Sequence, residues 1–110
     1  MGAYAEQRQP WVIRVAAAAS PSASKGAEAG KLHRVTSITA LVDTAARTLT
    51  IKSGTTTLHA IPLGIGFHSI PMGDMPALAQ NNLLSAALDA GTAQSIVMHG
   101  YTTSEQIVTT

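Results

Sequence analysis

The sequence predicts an all-β protein, an antiparallel β-sandwich of jelly-roll type with an extended N-terminal arm and a C-terminal tail. Six or seven short segments have strand-like patterns, and turn signals separate them roughly every 8 to 12 residues. No crossover helix of the kind that joins parallel strands is evident between them. These observations favour a sandwich over an α/β fold.

The clearest strand signal lies in residues 47–63. Leu49 and Ile51 fall on one face of the first strand, whereas the polar residues on either side of them fall on the other. This period of two is typical of a half-buried antiparallel strand. Ser53 and Gly54 provide the turn into the second strand, so the segment predicts a β-hairpin.

The elements before this hairpin follow from local composition. Residues 1–10 are polar and end at a proline that disfavours helix at the residue before it, which predicts an extended arm. Residues 11–18 alternate as a strand, and 19–30 are rich in Ser, Ala, Gly and Pro, which predicts a loop. Residues 31–43 form an extended run whose middle departs from alternation, indicating a bulge or a strand buried on both faces.

The segment after the hairpin is a short strand, 65–71, followed by a loop at 72–76 with the sequence Met-Gly-Asp-Met-Pro. The strand carries Phe67, one of only four aromatic residues. Together with Trp11, Phe67 is predicted to lie in the core, because so few aromatics are too scattered to form a stacking platform.

Residues 77–90 allow two interpretations, since their leucines have roughly helical spacing and the residues are good helix formers. A short turn followed by a strand at 83–88 is the preferred interpretation. The last strand is predicted at 93–102. The domain organisation is then an arm at 1–10, a β-sandwich domain at 11–102 and a tail at 103–110.

The composition excludes several classes of partner. At 110 residues the chain accommodates one domain with one core. Only 12% of the residues are charged and the net charge is +1, so the clustered Lys and Arg that nucleic acids and anionic membranes require are missing. The apolar stretches are too short to span a bilayer. A surface with so little charge also suggests permanent association with other subunits.

The side chains that carry chemistry predict neither an enzyme nor a cofactor. Cysteine is absent, and the four histidines lack the spacing of metal ligands. The carboxylates lie almost entirely in arms, loops and turns, where Asp bonds to nearby backbone, and no nucleophile motif occurs. A cupin-like, metal-dependent enzyme would share the fold class but lacks clustered His and Glu. The histidines are His33, His59, His68 and His99.

The candidate partner-binding residues lie mainly in the arm and the tail. Tyr4 and Arg8 belong to a polar arm in which Tyr4 has no apolar stripe to join, so it is predicted to anchor the arm on a neighbouring subunit. Ile107 and Val108 form a β-branched pair that is predicted to add to an edge strand of a partner. Trp11, at the start of the first strand, completes this set.

Five segments carry a family resemblance: Gly30-Lys-Leu-His-Arg-Val35, Leu49-Thr-Ile-Lys-Ser-Gly-Thr-Thr-Thr-Leu58, Ile61-Pro-Leu-Gly64, Asn81-Asn-Leu-Leu-Ser-Ala-Ala-Leu88 and Val97-Met-His-Gly-Tyr101. Together they resemble a class of small structural proteins of tailed-bacteriophage virions, over residues 11–102. This chain departs from the class in two places. Residues 72–78 replace a Pro-x-x-Trp-Phe-like segment, and the tail continues beyond the final Tyr.

The resemblance implies a non-enzymatic jelly-roll protein on the outer surface of a phage capsid, where it decorates or cements the head. Its partners would be the major capsid protein and further copies of itself, as a homotrimer. Its location would be the virion, assembled in the host cytoplasm. The alternative is a tail, fibre or vertex module involved in adsorption to the host surface.

Overall fold

The computed structural model describes residues 8–18, 20–79, 81–89, 91 and 93–103. Within these residues the chain forms eight strands and no helix, so it contains no helix capable of crossing a membrane. The strands build two antiparallel sheets that pack together, which confirms the predicted all-β sandwich. The strands are β1 Arg8–Ala18, β2 Ser22–Lys25, β3 Leu32–Val42, β4 Arg47–Ser53, β5 Thr56–Leu63, β6 Gly66–Pro76, β7 Leu84–Leu88 and β8 Gln94–Thr103.

The strand order is that of a jelly roll. The first sheet has the order β1-β8-β3-β6 and the second β2-β7-β4-β5. The pairs β1 with β8, β2 with β7, β3 with β6 and β4 with β5 are those of one long ribbon folded back at the β4–β5 hairpin. Wrapping this ribbon leaves four edge strands, β1, β6, β2 and β5, and brings the first and last strands side by side.

The core consists of the inward-facing residues of both sheets. Leu49 and Ile51 are fully buried, as their alternation predicts, and so are Ile96 and Met98 of β8. They interdigitate with β3, whose inward residues include Ile38. Truncating a side chain of this kind costs about 2 to 5 kcal/mol, so this layer supplies much of the stability.

Residues 77–90, for which helix and strand were both considered, contain a strand. This strand, β7, occupies residues 84–88, has alternating burial and is hydrogen-bonded to both β4 and β2. The loop prediction for 19–30 is wrong at 22–25, which form β2. Its small residues carry little hydrophobic signal, and only Ala23 is fully buried. The strand exists because the edge of β7 offers it a hydrogen-bonding partner.

The predicted loop at 72–76 is also wrong, because β6 continues through it. Between Val35 and Ser37 the register shifts, and one residue of β3 lies opposite three of β6. The extra residues of β6 form a bulge that includes Gly73 and Asp74, whose φ angles are +61° and +56°. Gly and Asp are among the residues that tolerate this conformation. Residues 31–43, for which a bulge or a strand buried on both faces was predicted, contain a bulge, because Thr36 is an extra residue of β3 relative to β8.

Phe67 is not in the core. It lies on the outer face of β6, paired with Leu41, and 72% of it is exposed. The inward positions of this strand are held by residues of the other parity, including Ile70 and Met72. Trp11 packs against the core and is half-buried. Residues 8–10, which the sequence places in the arm, belong to β1.

Candidate binding surface

The two ends of the described chain leave the sandwich at the same place. Arg8, the first residue of β1, lies opposite Thr103, the last of β8. The predicted contact residues Tyr4, Ile107 and Val108 lie outside the described residues. Arg8 and Trp11 both lie on β1. The surface around this point is called the terminal end, and it is formed by the start of β1, the end of β2, the loop 26–31, the start of β3 and the end of β8.

Arg8 is held in position by Tyr101. Its guanidinium carbon lies 4.7 Å from the centre of the tyrosine ring, which is 8% exposed. A cation over an aromatic face at this distance contributes about 1 kcal/mol, more where water is excluded. The contact orients the strand where the arm joins the sandwich.

Trp11 covers a glycine and closes the edge of the sandwich. It lies opposite Gly100 on β8, and a Cβ atom at Gly100 would collide with the indole and with the carbonyl oxygen of Arg34. On its other side, the Nζ atom of Lys25 lies 5.9 Å from the indole ring centre. Since Lys25 ends β2, the indole bridges the adjacent edges of the two sheets.

A chain of hydrogen bonds runs inward from Trp11. Its Nε1 donates to Thr102 Oγ1 at 2.9 Å, and Thr102 Oγ1 lies 2.6 Å from Nδ1 of His33. The Nε2 atom of His33 lies 2.7 Å from the carbonyl oxygen of Gly26. A carbonyl only accepts, so Nε2 carries the proton and, in the neutral ring, Nδ1 accepts from the Thr102 hydroxyl. His33 and Thr102 are almost fully buried, and the chain satisfies both.

The loop 26–31 is fastened to the sandwich by this chain and by surface contacts. The Glu28 carboxylate lies 3.4 Å from Lys25 Nζ, 3.9 Å from Lys31 Nζ and 3.8 Å from His33 Nε2. The side-chain oxygen of Asn81 accepts a hydrogen bond from the backbone N–H of Gly30 at 2.8 Å. Exposed ion pairs contribute little stability, so the hydrogen bonds of His33 and Asn81 are the main contacts that hold the loop.

The terminal end is net positive among the residues that the structure describes. Four of the seven Lys and Arg residues lie here, and Arg8, Lys25 and Lys31 contact an aromatic ring or the Glu28 carboxylate. Clustered cations attract acidic groups, and the adjoining segments supply two of these, Glu6 and Glu105. The cations are Arg8, Lys25, Lys31 and Arg34, and the carboxylates are Glu28 and Asp74.

Two other features of the described structure bear on ligand binding. The described residues contain no group of three His, Asp or Glu that could hold a metal ion. The outer face of the second sheet has a shallow depression of about 340 Å³ whose lining has no aromatic side chain to stack on a sugar. Its lining residues are Ser22, Thr48, Thr50, Lys52, Ser85, Ala87, Leu88 and Asp89.

Sequence reasoning missed three residues of the terminal end. His33 shares its strand face with the core residue Val35, and this shared parity would have predicted its burial. Gly100 lies inside a strand, where glycine often marks a close approach of another group. Thr102 has no local signal, because its partners lie far away in sequence.

The chain matches no protein-family model and no curated protein. The polar groups of Trp11, Thr102 and His33 are engaged with one another, and Glu28 lies between two lysines. His33 and Thr102 are buried, so these contacts hold the side chains of the terminal end in one arrangement.

Proposed function

We propose that this protein is a structural component of a tailed-bacteriophage virion that binds the capsid exterior and stabilises the head, without enzymatic activity. The observation that carries the proposal is the pairing of Arg8 with Thr103. Because of it, residues 1–7 and 104–110 both start at the positive terminal end. The sequence resemblance supports the phage assignment, and the jelly-roll strand order agrees with the fold that the resemblance implies.

The physical role follows from this arrangement. A rigid sandwich presents two short segments and four cations to the major capsid protein, so that one subunit contacts the shell at several points. Linked contacts bind more tightly than separate ones, because the second forms at a high effective concentration. A protein that binds only the assembled shell stabilises it by mass action.

Deleting residues 2–7, which leaves β1 intact, is expected to lower occupancy on purified heads about tenfold, equivalent to about 1.4 kcal/mol. Replacing Arg8 with alanine should weaken binding in the same direction. The measurement is co-sedimentation of the purified protein with heads that lack it. Lys52→Ala, an exposed change on the second sheet, is the matched charge control and should bind as the wild type does. Unchanged occupancy after the deletion would contradict the proposal.

Copy number separates capsid decoration from the alternative role at the tail, fibre or vertex. Quantitative mass spectrometry of purified particles compares this chain with the most abundant shell protein. Comparable amounts are expected for decoration. A handful of copies per particle would favour the adsorption module, and absence from particles would overturn both.

A further inference from the structure

Three of the five large apolar side chains that are exposed among the described residues lie on the side of the sandwich opposite β1 and β2. Among the described residues, Phe67 is 72% exposed and Ile65 is 65% exposed. Leu41 pairs directly with Phe67 across β3 and β6 and is exposed as well. Contiguous exposed apolar residues are uncommon on a free monomer and mark interaction sites.

This patch continues into the open seam between the edge strands β5 and β6. The seam is lined by apolar residues that pack against the core but remain only partly buried. The described residues contain no strand beside the outer side of β5 or of β6. The patch and the seam together are called the β5–β6 surface, comprising Leu41, Leu58, Ile61, Ile65, Phe67, Ile70, Met72 and Met75.

The β5–β6 surface has almost no charge. Residues 56–73 contain no Lys, Arg, Asp or Glu, and Asp74 is the first charged residue after them. A surface without charge does not select a partner by charge complementarity, and two copies of it meet without like-charge repulsion. The absence of charge is therefore compatible with a second copy of this chain as the occupant.

The edge strands also restrict how a second copy can bind. Pro62 lies in β5, and Pro71 and Pro76 lie in β6. Proline has no N–H to donate to an added strand, and natural proteins use it at edges to prevent open-ended pairing. Contact between copies must then occur through apolar side chains, which favours a closed assembly over a fibre.

We infer that the protein associates with further copies of itself through the β5–β6 surface. A seam about 35 Å long and about 10 Å wide offers about 350 Å² per subunit. The three exposed side chains add roughly 300 Å², which brings the total near the lower limit of stable interfaces, about 600 Å² per partner. The inference concerns the isolated protein and does not depend on its location in a virion.

The first test is the mass of the purified full-length protein in solution, measured by light scattering after size exclusion. The wild type is expected at a multiple of 11.3 kDa, and three copies would agree with the homotrimer that the resemblance implies. Phe67→Glu should reduce the mass to that of one chain. Val12→Glu is the matched control, since Val12 is 41% exposed on β1, at the opposite edge of the first sheet, and should keep the wild-type mass. A monomeric wild type would overturn the inference, as would an undiminished mass for a folded Phe67→Glu variant.

A second measurement decides the question if Phe67→Glu does not fold. The chain has no cysteine, so a single cysteine introduced at Ser69 is labelled by maleimide without background. Ser69 is exposed on the outer face of β6, and Ser24, exposed on β2, serves as the control. Labelling of Ser69→Cys should be severalfold slower than that of Ser24→Cys at high protein concentration and recover on dilution. Equal rates at every concentration would refute the inference.

Discussion

Replacing Gly100 with alanine is expected to destabilise the protein by about 3 kcal/mol, at the upper end of the usual cost of overpacking. A Cβ atom at this position would overlap the indole of Trp11 and the carbonyl oxygen of Arg34. The indole is the end of a side chain, but the carbonyl is backbone of β3, held by its pairing with β8. The overlap can therefore be relieved only if β3 and β8 move apart at the point where their register shifts.

The measurement is denaturant unfolding followed by the fluorescence of Trp11, the only tryptophan. Gly26→Ala is the control, because nothing lies within 4 Å of a Cβ at Gly26 and its backbone is not left-handed. Its stability should change by less than about 0.5 kcal/mol. If both variants unfold at the same denaturant concentration as the wild type, the packing of Trp11 over Gly100 described above is incorrect.

Thr102→Val is expected to cost about 3 kcal/mol, because a buried group that loses its hydrogen bond pays its full desolvation penalty. The change preserves shape but leaves two groups without a partner, the Nε1 proton of Trp11 and the Nδ1 atom of the buried His33. It should also loosen the loop 26–31, which His33 holds through Gly26. Hydrogen exchange of the loop amides reports this second effect separately from global stability.

The control for Thr102 is Thr39→Val, at a half-buried position on the outer face of β3. In the described structure no side-chain hydrogen bond of the Thr39 hydroxyl is found, and valine favours strands, so stability should change by less than about 0.5 kcal/mol. Equal stabilities for the two variants would indicate that the hydrogen-bond chain from Trp11 to Gly26 contributes nothing net.

Both predictions concern the same functional property, the rigidity of the terminal end. A binding surface that is already ordered loses less conformational entropy on association, which leaves more of the contact energy for affinity. If capsid binding depends on this surface, Thr102→Val should weaken binding to heads even at temperatures where the sandwich stays folded. Leu41 and Phe67 lie at the other end of β3 from these residues, so self-association through them should not change.

Local pattern was sufficient for most strands. Alternation placed Leu49 and Ile51 in the core, and for residues 77–90 a strand at 83–88 was preferred over a helix. The structure confirms the burial of both residues and a strand at Leu84–Leu88. The period of two is a property of the extended backbone itself, so it is present in any stretch that buries one face. The predicted sandwich follows from counting such stretches and the turns between them.

Tertiary structure decided what alternation leaves open. Ser22–Lys25 is a strand only because β7 pairs with it, and Phe67 faces outward because residues of the other parity fill the inner face of β6. The binding surface required the same information. Thr102 lies 69 residues from His33 and 91 from Trp11, and only the return of β8 between β1 and β3 brings the three together. The alternation of apolar and polar residues is a local property of the sequence. Which strands pair, which face of a strand is buried and which side chains meet depend on strands that are distant in the sequence.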